Sequence, residues 1–233
     1  MSDLSPPQNM MVSVVVPVYC GADYLAALVA ALDDLRREWQ AQGAPFTLAE
    51  AIFVEDAAID DSGARIDQLA REHSWIVPLH LARNFGQHPA TIVGILHSSG
   101  DWVVTMDEDL QHRPEVIATL LRKAVTEHAD IVYANPVSTV HDAAIRDWTS
   151  RSFKRMMQWL TDNPNLSSFN SFRLIRGPVA RAAASVCSHD TYLDITLGWF
   201  TQSIRAIRIE MKDERYIKTK RSGYSLKSLL SHG

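Results

Sequence analysis

The stretch TMDEDLQHRPEV at 105–116 places three carboxylates, Asp107, Glu108 and Asp109, directly after a strand-like apolar run. Like charges repel one another when they are crowded at a strand end, and folding does not require them there. In an extended segment residues two apart point the same way, so Asp107 and Asp109 would share a face. Hard cations such as Mg²⁺ and Mn²⁺ prefer oxygen ligands, and Gln111 would add an amide oxygen. The spacing indicates a site for Mg²⁺ or Mn²⁺, although a solvated acidic turn uses the same residue types.

The residues around this acidic stretch narrow the kind of cation site that it would form. An EF-hand calcium loop is excluded, because the glycine and the terminal glutamate that such a loop requires are missing. His112 adjoins the acids, but a lone histidine beside an acidic loop more often forms hydrogen bonds than binds a metal. We therefore leave His112 out of the ligand set.

Apolar runs and segments of helical periodicity alternate along the first 135 residues, and they would position the acidic stretch. Strands are predicted at 12–19, 51–56, 77–82, 102–106 and 130–135, with helices between them. This order predicts an α/β fold of Rossmann-like type, with a mostly parallel sheet and helices on both faces. Ligands bind such sheets beyond the carboxyl ends of the strands. The segments PVYCG, EDAAIDDS and DEDLQH all follow strand ends, so we expect them to converge on one cleft.

The second half of the chain has a different pattern. FRLIRG and IRAIRIEM are typical of strands, with a helix at PVARAAASV between them, and 145–160 mixes aromatic and basic residues at helical spacing. That helix would lie at a membrane interface or pack on the core with a basic edge. Without a linker, we expect one domain over 1–233, divided into a nucleotide and metal half (11–135), an acceptor half (136–211) and a basic tail (212–233).

Charge and composition exclude several classes of protein. The net charge of −4 argues against nucleic-acid binding, but residues 212–233 carry +4 and the remainder −8, which suggests an anionic partner or a solvated tail. The start, MSDLSPPQNM, lacks the features of a signal peptide, and no run reaches the ~20 apolar residues of a spanning helix. Two cysteines form no disulfide framework. We expect a cytoplasmic protein.

Four segments in this order and spacing resemble the family 2 glycosyltransferases of the GT-A fold: VSVVVPVY, FVEDAAIDDS, LARNFGQHPATIVGILHSSGD and VVTMDEDLQHRPEVI. The resemblance is strongest over 11–135, continues more weakly to the tail, and is greatest to the polyprenyl-phosphate sugar transferases. It implies a metal-dependent inverting transferase in cell-envelope polysaccharide synthesis. The donor would be a UDP-, GDP- or dTDP-sugar, and the acceptor a polyprenyl phosphate or another membrane-associated molecule. Peripheral contact with the inner face of the cytoplasmic membrane and homo-oligomers are compatible with it.

The resemblance also implies which residues bind the donor. They are Pro17, Tyr19, Val54, Asp56, Asp107, Glu108, Arg215 and Arg221. Within this set, Pro17 and Tyr19 would line the nucleobase pocket and Asp56 would bond the base, while Arg215 and Arg221 would close over the diphosphate. Simpler roles for the same residues are a strand end, a core tyrosine, a helix cap and solvated arginines.

The metal and the acceptor complete the implied chemistry. Asp107, Asp109 and Gln111 match the metal-binding D-x-D-x-Q of the family, and the ion would neutralise the diphosphate as the glycosidic bond breaks. A hydroxyl acceptor needs a general base, whereas a phosphate does not. Asp190 and Asp194 lie four apart and would share a helix face, which makes Asp190 the base candidate. Otherwise Asp190 caps a helix and Asp194 is solvated.

Departures from the family pattern leave the nucleotide and the acceptor open. Where the family has V-D-D-G-S, residues 54–58 are Val-Glu-Asp-Ala-Ala. Where the family has Asn-Glu, residues 20–21 are Cys-Gly, and two residues are inserted after Arg215. A hydroxyl of a surface or lipid-linked glycan remains an alternative acceptor. A catalytically silent sugar-nucleotide binder is favoured by the altered 54–58 motif and disfavoured by the intact D-x-D-x-Q. Nucleotidyl transfer is disfavoured because no glycine-rich phosphate loop follows the first strand.

Overall fold

The computed structural model describes residues 9–137, 170–187 and 192–209, and these contain seven strands and six helices. The strands are Met10–Val18 (β1), Phe46–Glu55 (β2), Ile76–His80 (β3), Trp102–Thr105 (β4), Ile131–Pro136 (β5), Arg173–Arg176 (β6) and Ile204–Ile209 (β7). The helices are Leu25–Ala41 (α1), Ser62–Glu72 (α2), Gln87–His97 (α3), Val116–Thr126 (α4), Gly177–Val186 (α5) and Leu193–Phe200 (α6).

The strands form one sheet in the order β3-β2-β1-β4-β6-β5-β7. All neighbouring pairs are parallel except those of β6, which runs antiparallel to both β4 and β5. The central strand β1 is buried from Val12 to Val18, which explains its continuous apolar sequence. The expected mostly parallel α/β sheet is therefore confirmed, and it includes strands from both predicted halves of the chain.

Helices cover both faces of this sheet, as predicted. On one face the core contains Val14 and Val16 together with apolar residues of α1, α2 and α4. On the other face Val15 packs with apolar residues of α3, α5 and α6. Successive β1 side chains thus serve opposite cores, as the alternation of a strand requires. No helix among the described residues is long and apolar enough to cross a membrane.

Element boundaries differ from the predicted ones where polar residues interrupt the apolar pattern. Strand β2 begins at Phe46 rather than at 51, because its first residues, which are mostly only partly buried, pair with the start of β1. Helix α4 begins at Val116, two residues beyond the expected Pro114. Helix α6 was not predicted as an element, and the predicted helix at 145–160 lies outside the described residues.

Helix α3 lies unusually close to the sheet, and this places its first residues over the strand ends. A Cβ on Gly94 would stand 2.4 Å from Cγ1 of Val15 and 3.0 Å from Cγ2 of Val54. Only a residue without a side chain permits this approach. Gln87 and His88, in the first turn of α3, are thereby held at the edge of the sheet where β1 and β4 end.

Candidate active site

A pocket of about 200 Å³ opens at the carboxyl ends of β1 and β4, beside the start of β6. Its lining residues come from both halves of the chain and are Pro17, Gln87, His88, Thr91, Thr105, Met106, Asp107, Asn170, Ser171, Arg173 and Asp194. This is the edge at which the sequence predicted a cleft, because ligands of such sheets bind beyond the carboxyl ends of the strands.

The three strand-end segments meet at this edge. The backbone N–H of Gly21 donates to Ser62 Oγ at 3.0 Å, and that of Ala22 donates to Asp60 Oδ2 at 3.1 Å. These bonds join the segment after β1 to the segment after β2. Glu108 joins the segment after β1 to that after β4, as described below. The predicted convergence is confirmed, although only the first and third segments line the pocket.

Asp107 is the acid that faces the pocket, and neighbouring side chains fix its carboxylate. Gln87 Nε2 donates to Oδ1 at 2.6 Å, and Ser171 Oγ donates to Oδ2 at 3.1 Å. The Asp107 side chain retains 31% of its exposed area. A carboxylate with this orientation and accessibility is suited to a cation that substrate oxygens also bind.

His112 supports the turn that carries Asp107. Its Nδ1 accepts the backbone N–H of Asp107 at 2.9 Å, and its ring stacks on Phe172 at 4.7 Å between centroids. Burial lowers the pKa of His112 and outweighs the charges of Asp107 and Asp109, which raise it. His112 is therefore neutral near neutral pH and serves as a hydrogen-bonding residue, in agreement with its exclusion from the ligand set.

Glu108 points away from the pocket and holds the loop after β1. Its Oε2 accepts the N–H of Tyr19 at 2.9 Å, and its Oε1 accepts that of Cys20 at 3.2 Å. A Cβ on Gly21 would stand 2.7 Å from Oε2, so glycine at this position makes room for the carboxylate. This explains the glycine at position 21. A direct contact of Glu108 with a donor stays a prediction, as does that of Tyr19, which is 41% exposed.

Asp109 and Asp107 do not share a strand face, which corrects the geometric argument for the pair. Strand β4 ends at Thr105, and the following turn includes Leu110 at a φ of 63°. Asp109 is 7% exposed, and its Oδ1 accepts the N–H of Gln111 at 3.3 Å. Of the predicted metal ligands, Asp107 alone is among the pocket-lining residues.

The described residues are suited to a divalent cation. Oxygens of the substrate would complete the coordination of that cation. Within them, no three His, Cys, Asp or Glu side chains are grouped around a common cation position. Mg²⁺ is commonly held by one or two carboxylates, with the other positions taken by water and substrate phosphates. The fixed carboxylate of Asp107 satisfies that requirement, and Asp109 and Gln111 stay predicted ligands.

Asp56 organises the loop that leads into α3. Its Oδ1 and Oδ2 accept the N–H groups of Phe85 and Gly86, each at 2.7 Å, and Gly86 has a φ of 95°. The carboxylate is 3% exposed and does not line the pocket. A bond from Asp56 to a nucleobase stays a prediction. Val54 is fully buried in the core, which corrects its assignment to donor binding as far as its side chain is concerned.

The pocket lining includes Arg173 and Asp194 of the second half of the chain, which form a buried ionic group with Tyr133 of β5. Asp194 Oδ1 accepts the hydroxyl of Tyr133 at 2.8 Å and Nη1 of Arg173. Burial raises the pKa of Tyr133 well above its ordinary value, so the hydroxyl remains a donor. Asp194 is 9% exposed, so the alternative in which its side chain is solvated is wrong. Asp190, Arg215 and Arg221 lie outside the described residues.

The pocket residues that the sequence did not indicate include Gln87, His88, Ser171 and Arg173. Gln87 and His88 lie within the RNFGQH segment that resembles the family, so the motif was visible but the roles of these side chains were not. His88 lines the pocket, and its ring meets that of Tyr192 edge-on at 5.0 Å between centroids. Burial, together with the charge of Arg173, lowers the pKa of His88 and outweighs Asp194, which raises it. His88 is therefore neutral near neutral pH.

The sheet and the position of the pocket are those of the GT-A fold. The structure resembles mannosyl-3-phosphoglycerate synthase from Rubrobacter xylanophilus (TM-score 0.64, 15% identity, 97% of this chain and 74% of that chain). It also resembles glucosyl-3-phosphoglycerate synthase from Mycobacterium tuberculosis in complex with Mn²⁺, UDP-glucose and phosphoglyceric acid (TM-score 0.61, 15% identity, 94% and 74%).

More particularly, the chain belongs to the family described as Glycosyl transferase family 2, whose sequence profile matches residues 13–181. Curated relatives include the undecaprenyl-phosphate 4-deoxy-4-formamido-L-arabinose transferases of Klebsiella pneumoniae (31% identity, 88% of this chain) and Pseudomonas fluorescens (30%, 94%). The chain spans 60% and 62% of the length of these two relatives. The predicted family and fold are confirmed.

Proposed function

We propose that this protein is a metal-dependent, inverting glycosyltransferase that moves a sugar from a nucleotide-sugar donor to a polyprenyl phosphate. The observation that carries the proposal is the carboxylate of Asp107, which Gln87 and Ser171 fix at the mouth of the pocket. The names of the curated relatives, which are undecaprenyl-phosphate sugar transferases, support the acceptor class. The Mn²⁺ and UDP-glucose of the M. tuberculosis neighbour support the donor class and a divalent cation.

Asp107 would hold Mg²⁺ or Mn²⁺, with Asp109 and Gln111 as further predicted ligands. The cation would neutralise the charge that develops on the nucleoside diphosphate as it leaves. Gln87 and Ser171 keep the Asp107 carboxylate in one orientation, so little reorganisation is needed when the donor binds. Among UDP, GDP and dTDP donors we favour a UDP-sugar, from the nucleotide named for the structural neighbours.

The pocket is better suited to an anionic acceptor than to a hydroxyl. Asp107 and Asp194 are the carboxylates among its described lining residues, and both are already engaged by donors. A sugar hydroxyl needs a free base within hydrogen-bond reach, whereas a phosphate is ionised near neutral pH. The competing acceptor, a glycan hydroxyl, would require Asp190 as the base.

The acceptor would be met at the cytoplasmic face of the membrane. The segment 212–233 carries a net charge of +4 and lies outside the described residues. A basic segment gains about 1 kcal/mol per Lys or Arg at an anionic bilayer, so binding of this strength would be reversible and sensitive to salt. Co-sedimentation with anionic vesicles at low and high salt tests this part of the proposal.

The Asp107→Asn variant tests the proposed reaction. We expect transfer from a UDP-sugar to a polyprenyl phosphate to fall by at least roughly 100-fold, since even outer-shell partners of metal ligands are worth 10- to 100-fold. UDP should still bind, but Mg²⁺ or Mn²⁺ should no longer strengthen its binding in calorimetry. Asp34→Asn, at an exposed position of α1, is the matched control. Unchanged metal dependence in Asp107→Asn would contradict the metal assignment, and a product with retained anomeric configuration would contradict inversion.

A further inference from the structure

Arg173 is the sole Lys or Arg among the described residues that line the pocket, and it is 3% exposed. It is the first residue of β6 and pairs with Thr105 at the carboxyl end of β4. Its Nη1 donates to Asp194 Oδ1 and, at 3.4 Å, to the carbonyl oxygen of Asn170. Its Nε is buried and has no acceptor within the part of the chain that the structure describes.

An enclosed donor of a charged group is costly when it has no acceptor, so such a group is expected to have a role. Nε belongs to the side-on edge of the guanidinium, which binds phosphate and carboxylate through two parallel hydrogen bonds. The protein contacts made by Nη1 leave this edge for a ligand. Because Nε is enclosed, engaging this edge requires a small movement of the Arg173 side chain.

The carboxylate of Asp194 is arranged to hold the guanidinium in place. Oδ1 of Asp194 takes two donors, the hydroxyl of Tyr133 and Nη1 of Arg173, and all three side chains are buried. A general base needs a carboxylate oxygen that is free to receive the acceptor proton, and this geometry commits Oδ1 to fixed partners, which leaves Oδ2 as the oxygen through which base catalysis would have to act. The three side chains are therefore better suited to holding the guanidinium cation in place than to accepting a proton.

We propose that Arg173 binds the phosphate of the acceptor, and that Asp194 is a positioning residue that orients the guanidinium. This inference rests on the proposed function, because it specifies the group that recognises the lipid phosphate in that reaction. A guanidinium suits this task because it stays charged, is weakly hydrated and matches the geometry of two phosphate oxygens. Arg173 and Asp107 would then contact the two anionic substrates in one pocket, which both residues line.

The test is a calorimetric titration of the whole chain with geranyl phosphate, a short prenyl phosphate, and with geraniol as its uncharged counterpart. Wild type should bind the phosphate and not the alcohol. Arg173→Lys keeps the charge beside Asp194 but loses the planar fork, and it should bind geranyl phosphate at least about 10-fold more weakly. Arg176→Lys is the matched control, since Arg176 is half exposed and paired with Asp130 at the other end of β6.

Asp194→Asn separates positioning from base catalysis. If Asp194 positions Arg173, the KM for geranyl phosphate rises as in Arg173→Lys, and the pH profile of kcat keeps its shape. If Asp194 is a base, kcat falls, its acidic limb disappears and the affinity for geranyl phosphate is unchanged, which overturns the positioning role.

The outcomes for Arg173 and for the proposed function can be told apart. Wild-type affinity for geranyl phosphate in Arg173→Lys, or no binding by wild type, overturns the phosphate assignment even if sugar transfer occurs. Binding that depends on Arg173 without any sugar transfer supports the phosphate assignment and refutes the proposed reaction. UDP binding with Mg²⁺, measured in each variant, reports whether the donor half is intact.

Discussion

Replacing Gly21 by alanine should destabilise the protein through Glu108 alone. The new Cβ would stand 2.7 Å from Glu108 Oε2, closer than real contacts of this kind, so the carboxylate must move. Moving it stretches the bonds of 2.9 and 3.2 Å from the N–H groups of Tyr19 and Cys20. Overpacking costs about 1–3 kcal/mol, and each bond to a charged group about 1.5–3 kcal/mol. Allowing for partial relaxation, we expect a loss of about 3 kcal/mol.

Urea unfolding followed by circular dichroism measures this loss of unfolding free energy. In thermal unfolding of a chain of this size, the same loss should lower the Tm by about 6–12 °C. Gly63→Ala is the matched control, because the nearest atoms to its new Cβ lie 3.7 Å away and, within α2, the change should be neutral or slightly stabilising. The decisive comparison is a double-mutant cycle. In a Glu108→Ala background, Gly21→Ala should cost less than about 1 kcal/mol. An equal cost in both backgrounds would refute the reasoning, since the strain would then come from another source.

Two further predictions concern stability. Burial lowers the pKa of His80, but hydrogen bonds and charges from Asp67 and Glu55 outweigh it, so the pKa is raised above 6.5. The interactions of His80 with Asp67 and Glu55 therefore contribute their full stabilisation below the ordinary histidine pKa. That stabilisation is lost as the pH rises through the raised pKa of His80. The unfolding free energy of His80→Gln should lack that fall as the pH rises above the ordinary histidine value, and equal pH profiles for the variant and the wild type would contradict the assignment. Gly94→Ala places a Cβ 2.4 Å from Val15 Cγ1, so overpacking should exceed the helix-propensity gain and lower the unfolding free energy by about 1–2 kcal/mol. A more stable Gly94→Ala would show that α3 can move away from β1.

The fold of the first half could be predicted because its signals are local. The valine run of β1 and the helical spacing of α1 and α4 each lie within one element. The position of β6 between β4 and β5 could not be predicted in this way. Its pairing joins residues far apart in the chain, and no single-element pattern encodes such a neighbour.

In the candidate site, too, residues with a local signal in the sequence could be predicted, and contacts between distant residues could not. Asp107 was found because carboxylates after a strand are conspicuous in sequence, whereas the roles of Glu108 and Asp56 depend on backbone N–H groups of loops that sequence does not locate. The link between Arg173 and Asp194 also escaped detection, because it joins a strand to a helix 21 residues further along the chain, and no local pattern encodes such a pair. The sequence therefore identified candidate residues by their type, but it did not identify the partners of their side chains.

The position of β6 between β4 and β5 affects how the chain folds during synthesis. While the ribosome makes α4 and β5, one edge of β4 has no neighbour, because its partner β6 is encoded after residue 169. An open strand edge is a template for pairing with another chain. The four strands β3-β2-β1-β4 can assemble early, whereas closure of the seven-stranded sheet waits for a distant segment and is slow. The interval before β6 emerges is therefore the period in which the nascent protein is most exposed to aggregation.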